Sequence, residues 1–233
     1  MDLRMRRGPG YGVGIGAACL VACGGRLGRG AVVAQPRPLK RVFYERPAQL
    51  VAGDLIGKVF SYGPMSGRIV EVEAYDESEP ASRGYSGLRK GNATLFGPPG
   101  RLEVYLTYGI NYLANAVCEP VGVGSGVLIR ALEPLTGVEV MRANRGHPKG
   151  PDHRLCSGPG RLCKAFGLSR ADNDTDLVVG KVRILDDRIA LPYARSPRIG
   201  ISAGQDLDWR FYAPDSPSVS GPRVPTNRMG TAI

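Results

Sequence analysis

The sequence predicts an α+β fold, a single mixed domain around a curved, largely antiparallel β-sheet from which one β-hairpin protrudes. Three observations lead there. Short β-branched and aromatic runs follow one another through Gly- and Pro-rich turns, without the regular strand-helix alternation that a parallel sheet requires. Two of these runs, residues 102–108 and 112–118, flank Gly109-Ile-Asn111 closely enough to pair as a hairpin with Tyr108 at its tip. Helical spacing is confined to short interspersed segments, and neither internal repeats nor heptads occur.

The elements follow in order. Arg4, Arg6 and Arg7 precede a small-residue apolar run from Tyr11 to Cys23, the outline of a signal peptide, but that run is too short and Gly-rich to span a membrane as a helix. Residues 1–40 are therefore expected to be a disordered leader, or the product of an over-extended start, ahead of a domain at residues 41–214. Pro at the first turn and Gly57 past the end predict a helix over residues 47–55, with strands at 58–62 and 68–75 to follow. Residues 76–101 lack periodicity, and a loop of that length in a compact domain usually carries function. After the hairpin, residues 127–132 form a strand that is apolar except for Arg130. Thr136-Gly-Val-Glu139 has capping-box spacing for a helix running to about Arg145. Residues 159–166 read as a second helix, capped by Ser157 and closed by Gly167. A last strand pair is expected at residues 198–202 and 209–213, and the Pro/Ser-rich residues 215–233 are expected to be a flexible tail.

Composition bounds the function. The formal net charge of +10 invites a polyanionic partner, but most of it lies in residues 1–41, where Arg4, Arg6, Arg7, Arg26, Arg29, Arg37, Lys40 and Arg41 face Asp2 alone. A nucleic-acid reading must rest on local patches such as Arg142, Arg145, Lys149, Arg154, Arg161 and Lys164. The five cysteines show no Cys-x-x-Cys pair, and His147 and His153 are the only histidines. A disulfide framework, a zinc site and a Ser-His-Asp triad are thus unsupported, and reduced thiols in a cytoplasmic protein are expected.

The run Gly67-Arg-Ile-Val-Glu-Val-Glu-Ala-Tyr75 places two carboxylates inside a β-branched strand. Alternation puts Val70, Val72 and Ala74 on one face and Ile69, Glu71, Glu73 and Tyr75 on the other. An unpaired buried carboxylate is costly, so the second face either lines a cleft and meets a cation or is simply solvated. Arg130, alone in an apolar strand, needs an acid if buried, and Glu73 is available. Such a pairing favours the ionised carboxylate and suits a general base acting on water. Tyr75 and Tyr105 could stack a planar ligand between them, and Tyr108 at the hairpin tip has the form of a wedge between base pairs. Ordinary packing of each tyrosine at a sheet edge is the alternative.

Glu71-Val-Glu-Ala-Tyr75, Phe96-Gly-Pro-Pro-Gly100, Val104-Tyr-Leu-Thr-Tyr-Gly109, Leu128-Ile-Arg-Ala-Leu-Glu-Pro134 and Leu155-Cys-Ser-Gly-Pro159 together resemble the 3-methyladenine DNA glycosylases of the alkyladenine type, in register from about Arg41 to Ser220. The resemblance implies a monofunctional enzyme of base excision repair that flips alkylated or deaminated purines out of duplex DNA. It implies Glu73 as the base that activates water, with Arg130 and the carbonyl of Ile201 as that water's further contacts. Tyr75 and Tyr105 become the walls of the base pocket, Leu128 an apolar residue within it, and Asn115 the residue that obstructs the amino group of normal guanine. Tyr108, with Gly109 beside it, fills the gap left in the duplex, and Arg89 and Lys90 supply charge to the DNA backbone. The family's usual Ala-Ser-His is here Ala81-Ser82-Arg83, so Arg83 either places a cation beside the pocket or points outward to a phosphate. Alkylated purines are already cationic and leave easily, and no lysine sits in these motifs, so neither a second catalytic acid nor an imine-forming lyase step is expected. The resemblance further implies no metal or organic cofactor, no membrane, and a monomer acting on double-stranded DNA containing damaged purines, cytoplasmic and associated with the nucleoid. Two rival readings remain: an inverting glycosidase using Glu71 and Glu73, roughly 7 Å apart on one strand face, and a non-catalytic nucleic-acid-binding module that uses the tyrosines for stacking.

Overall fold

One long strand organises the sheet. The computed structural model describes residues 35–223 and the strand Met229–Thr231. In chain order it contains β1 (Arg37–Pro38), α1 (Arg41–Tyr44), α2 (Ala48–Leu55), β2 (Val59–Tyr62), β3 (Met65–Tyr75), β4 (Arg101–Thr107), β5 (Asn111–Val117), β6 (Gly126–Thr136), α3 (Val138–Asn144), α4 (Pro159–Phe166), β7 (Thr175–Asp176), β8 (Val182–Asp186), β9 (Pro192–Ser196), β10 (Arg210–Tyr212) and β11 (Met229–Thr231). Strands β1-β8-β2-β3-β6-β5-β4-β7 form a continuous antiparallel path, and β10, β9 and β11 branch from β3. β3 carries β2 along its first half, β10 along its second half and β6 on its other side, so the sheet curls around it as an α+β fold.

The β3–β6 pairing fixes the site. Its register shifts around Val70, which has no partner on β6, and Ile69 joins the same apolar cluster as Val70, Val72 and Ala74. The strict alternation read from the sequence is therefore broken there, and only Glu71 and Glu73 remain as polar members of a wholly buried stretch. Beyond the bulge a single row of cross-strand partners runs Ser196, Arg210, Glu73, Leu128, Asn115, Glu103 over five adjoining pairings. Helices α2 and α4 cover β3, β6 and β5, burying Val51, Leu55, Leu162 and Phe166.

Several boundaries differ from the expectations. β6 continues to Thr136, and the cap of α3 is Gly137 at φ +69°, not a Thr136 capping box. A Cβ at position 137 would lie 2.8 Å from the Pro64 carbonyl, so only glycine allows this close approach, and the Thr136 hydroxyl donates to that same carbonyl. α4 spans the expected residues, but Gly158 precedes it, and Ser157 donates instead to the Val219 carbonyl. Residues 198–202 form no strand, because Gly200 turns at φ +75° and the Arg198 side chain is buried against Glu79. Strand β9 at Pro192–Ser196 pairs with β10 in its place.

The leader's residues 1–34 lie outside the described residues, whereas Arg37–Pro38 already pairs with β8, ahead of the expected boundary. The tail expected from Asp215 is a second correction: Ser216, Ser218 and Val219 are buried, and the Ser220 N–H donates to Glu71. A buried carboxylate needed donors, and this segment brings one.

The short turn at Arg170–Asp172 has a complete capping box with Ser169. Burial would raise the Asp172 carboxyl, but Lys181, the Ser169 N–H and Tyr62 outweigh it and hold its pKa below the ordinary value. Its contribution to stability is therefore present above the ordinary aspartate range and is lost as pH falls through the lowered value. Asp172→Asn should destabilise the fold by about 1 kcal/mol near neutrality. The urea midpoints of variant and wild type should differ at about pH 7 and converge at about pH 2.

Candidate active site

Glu73 has no exposed surface and accepts three hydrogen bonds: from the Ile199 N–H to Oε1 at 2.7 Å, and to Oε2 from the Tyr75 hydroxyl at 2.8 Å and from Arg130 Nη1 at 3.1 Å. A carboxylate offers about four acceptor positions, so one direction on Oε1 has no protein donor among the described residues. Glu71, also fully buried, likewise accepts three: Oε1 from Arg130 Nε at 3.1 Å and Arg210 Nε at 2.8 Å, and Oε2 from the Ser220 N–H at 2.6 Å. Burial pulls the Arg130 guanidinium down, yet Glu73 and Glu71 outweigh it and keep its pKa above the ordinary arginine value. Burial, followed by the nearby Glu73, drives the Tyr75 phenol well above its usual range, so it stays a neutral donor.

Over this cluster opens a cavity of about 870 Å³ lined by Tyr75, Tyr105, Asn115, Leu128, Arg130 and Ile201, among others. Glu73 contributes no surface to it and lies just beneath, reached through Tyr75, Arg130, Leu128 and Ile199. The Tyr75 ring is backed by the Arg198 guanidinium, 4.6 Å from its centroid, which is itself held by both oxygens of Glu79. Ile201 keeps its place at the cavity, and its carbonyl accepts from Gln205 Nε2 at 2.8 Å. The backbone group that reaches Glu73 is the N–H of Ile199.

Arg83 faces the cavity. Its guanidinium lies 3.9 Å from the Tyr105 ring centroid, Nε approaches Glu103 at 3.4 Å, and Nη2 donates to the Gly91 carbonyl at 2.7 Å. The aperiodic loop thus lines the site, with Ala81, Ser82 and Leu95 alongside Arg83. It is held tightly: a Cβ on Gly84 would fall 2.4 Å from the Gly124 carbonyl.

The hairpin reaches out beside the cavity mouth. The Ile110 N–H bonds the Thr107 carbonyl at 3.0 Å across Tyr108 and Gly109, which have φ values of +48° and +69°, the geometry of a tight primed turn. A tyrosine in that left-handed region is uncommon, and this one is 91% exposed and lines the cavity rim. Arg89 and Lys90 are exposed on the loop. A second, basic hollow of about 660 Å³, lined by Arg142, Arg145, Lys149, Arg154, Arg161 and Arg223, adjoins the first through Ser157 and Arg161. Lys164 lies outside it.

Glu73, Tyr75, Arg83, Tyr105, Tyr108, Asn115, Leu128, Arg130 and Ile201 therefore all converge on one cavity or its floor. Four residues escaped the sequence reading: Arg210, Ser220, Arg198 and Glu103. Arg210 sits between Trp209 and Phe211 in an apolar strand, the same signal that exposed Arg130, and could have been found by it.

The site is thus an aromatic-walled pocket floored by one arginine-held acid and flanked by a protruding hairpin. The family model described as "Methylpurine-DNA glycosylase (MPG)" matches residues 42–217. A Burkholderia cenocepacia protein named "Putative 3-methyladenine DNA glycosylase" is 48% identical over 192 residues, covering 79% of this chain and 92% of its own. Relatives bearing the same name occur in Nitrosospira multiformis, 42% identical over 172 residues with 74% and 88% covered, and in Rhodopseudomonas palustris, 44% identical over 184 residues with 79% and 88% covered. The chain belongs to the methylpurine-DNA glycosylase family.

Breaking the buried cluster from outside the pocket should cost fold, since it leaves Glu71 with one of its two cations. Arg210→Met is expected to destabilise by about 3–5 kcal/mol in urea unfolding. Adding Glu71→Leu to that variant should recover part of the loss, because no half-paired charge is then left behind.

Proposed function

We propose that this protein is a monofunctional DNA glycosylase that extrudes an alkylated or deaminated purine from duplex DNA and hydrolyses its N-glycosidic bond with water activated by Glu73. The observation that carries the reading is the state of Glu73: three donors hold it beneath an aromatic pocket and leave one acceptor direction for a water. As the bond between the sugar and the base breaks, the anomeric carbon gains positive charge, which the adjacent carboxylate stabilises. Water then attacks that carbon and gives its proton to Glu73, while the bonding electrons leave with the base. Arg130 and Ile201 border the same space, and the Arg130 guanidinium and the Ile201 carbonyl would hold the water. Tyr75 and Tyr105 stack the extruded base, and Tyr108 enters the gap that it vacates.

No lysine lines the cavity among the described residues, which supports hydrolysis without an imine step. The glycosidase alternative is disfavoured because two of the three groups that hold Glu71, Arg210 and the Ser220 N–H, lie outside the cavity lining, whereas all three donors to Glu73 belong to it. Exposed Arg89 and Lys90 and the basic hollow suit the phosphates of the same duplex. No helix among the described residues is long and apolar enough to cross a membrane. A monomer acting on chromosomal DNA in the cytoplasm is the setting that the reading requires.

Incubation with duplexes carrying one hypoxanthine or one 3-methyladenine should yield alkali-labile abasic sites. Glu73→Gln should lower base release by about 10²–10⁴-fold while duplex binding persists. Binding by the wild type without any release would instead favour a non-catalytic module. Tyr108→Ser should slow the fluorescence rise of a 2-aminopurine placed beside the lesion, and unchanged kinetics would remove the wedge role.

A further inference from the structure

Glu79 and Arg198 form a buried ion pair beside the site, and neither residue lines the main cavity. Both oxygens of Glu79 accept from the guanidinium, Oε1 from Nη1 at 2.6 Å and Oε2 from Nη2 at 2.9 Å. The chemistry assigned to Glu73 does not use either group. A buried pair is also weak evidence for stability, because apolar side chains of similar volume often serve as well.

The pair ties together three segments that do line the cavity. Arg198 Nη1 donates to the Ala74 carbonyl at 3.1 Å, between Glu73 and Tyr75, and the guanidinium lies 4.6 Å from the Tyr75 ring centroid. Glu79 Oε2 also accepts from the Ala81 N–H at 2.9 Å, at the start of the loop that carries Ser82 and Arg83 into the lining. One residue beyond Arg198, the Ile199 N–H donates to Glu73 Oε1 at 2.7 Å, and Gly200 and Ile201 follow along the cavity. That N–H stands in a segment between β9 and β10 that belongs to no strand or helix, so no ladder fixes its direction. The neighbouring side chain does. The same segment folds back over the guanidinium at Gly204, whose carbonyl accepts from Nη2 at 3.3 Å and where a Cβ would fall 2.7 Å from that nitrogen.

We propose that Glu79 and Arg198 are a positioning pair for the reaction, which aims the Ile199 N–H at Glu73 and holds the Tyr75 ring in place above it. An N–H donor favours the charged form of a carboxylate, which is the form that takes a proton from water. The inference rests on the glycosylase reading and goes beyond it by giving a role to two residues that would touch neither the base nor the water.

The test is the pH dependence of single-turnover hypoxanthine release from a duplex by the wild type and by Glu79→Gln, read on the acid limb, where release rises with pH. Glu73 faces Tyr75 on its own strand, Arg130 from β6, which it shares with Glu71, and Arg210 as its cross-strand partner on β10, while Arg198 faces Glu79, Tyr75 and Trp209. Only Glu79 is altered. Glutamine turns an amide donor toward a guanidinium that needs two acceptors, so the clamp opens. Two effects then differ in sign. Loss of a negative charge would by itself favour the ionised acid and move the limb to lower pH, whereas loss of the Ile199 donor moves it to higher pH. The proposal predicts a shift to higher pH of about one unit, with release about tenfold slower on the acid side. An unmoved limb, or a shift to lower pH, overturns it. A merely structural role would scale the rate equally at every pH and leave the limb where it was. If Glu79→Gln does not fold, Gly204→Ala decides, since it crowds Arg198 Nη2 without changing any charge and should also move the limb to higher pH. An unmoved limb there overturns the proposal equally. Absence of release by the wild type would instead overturn the glycosylase reading itself.

Discussion

Two carboxylates in the centre of a sheet cannot be left unpaired, and the way in which Glu71 and Glu73 are paired shapes the rest of the molecule. Arg130 comes from β6, Arg210 from β10, the Ile199 N–H from the loop between β9 and β10, and the Ser220 N–H from the segment after β10. Chain regions far apart in sequence are therefore drawn to one point. The result is asymmetric. Glu71 is held by Arg210 and Ser220, away from the cavity, as well as by Arg130, whereas all three donors to Glu73 line the cavity.

The antiparallel register converts that anchor into a site. Because Glu73, Leu128, Asn115 and Glu103 are successive cross-strand partners, the acid, the apolar floor and the amide stand in line. The next positions along β3 and β4 raise Tyr75 and Tyr105 as walls, since residues two apart on a strand share a face. Arg198, clamped by Glu79 and packed between Tyr75 and Trp209, stiffens one wall, and Arg83 caps the other. Strands β3 to β6 thus supply the floor and two walls of the cavity, and the segments around Arg83 and Ile201 complete its lining.

Much of this was legible in the sequence. An arginine alone in an apolar strand had to find an acid, and the Arg130–Glu73 pair is the outcome. The hairpin with Tyr108 at its tip followed from turn chemistry, and the helix Pro159–Phe166 from Pro at its first turn and Gly167 at its end, although Ser157 does not cap it. What escaped was non-local. The Glu71–Arg210 and Glu71–Ser220 contacts join residues 139 and 149 positions apart, and nothing in a Pro/Ser-rich segment announces that one of its amides satisfies a buried acid. Local spacing also misled at Thr136, whose capping-box pattern lost to a close backbone approach that only Gly137 permits. At residues 198–202, demand for a partner to Glu79 and a left-handed glycine overrode strand propensity.

The claim on which the account turns is that the buried acid of β3 faces the reacting carbon of an extruded nucleotide. A co-crystal structure with a duplex containing a cationic pyrrolidine in place of one deoxyribose, a mimic of the charged sugar, tests it directly. The account predicts the ring nitrogen within reach of Glu73, directly or through one water, with Tyr108 seated in the vacated stack. An intact duplex lying across another face, or a pyrrolidine lodged away from Glu73, would contradict it.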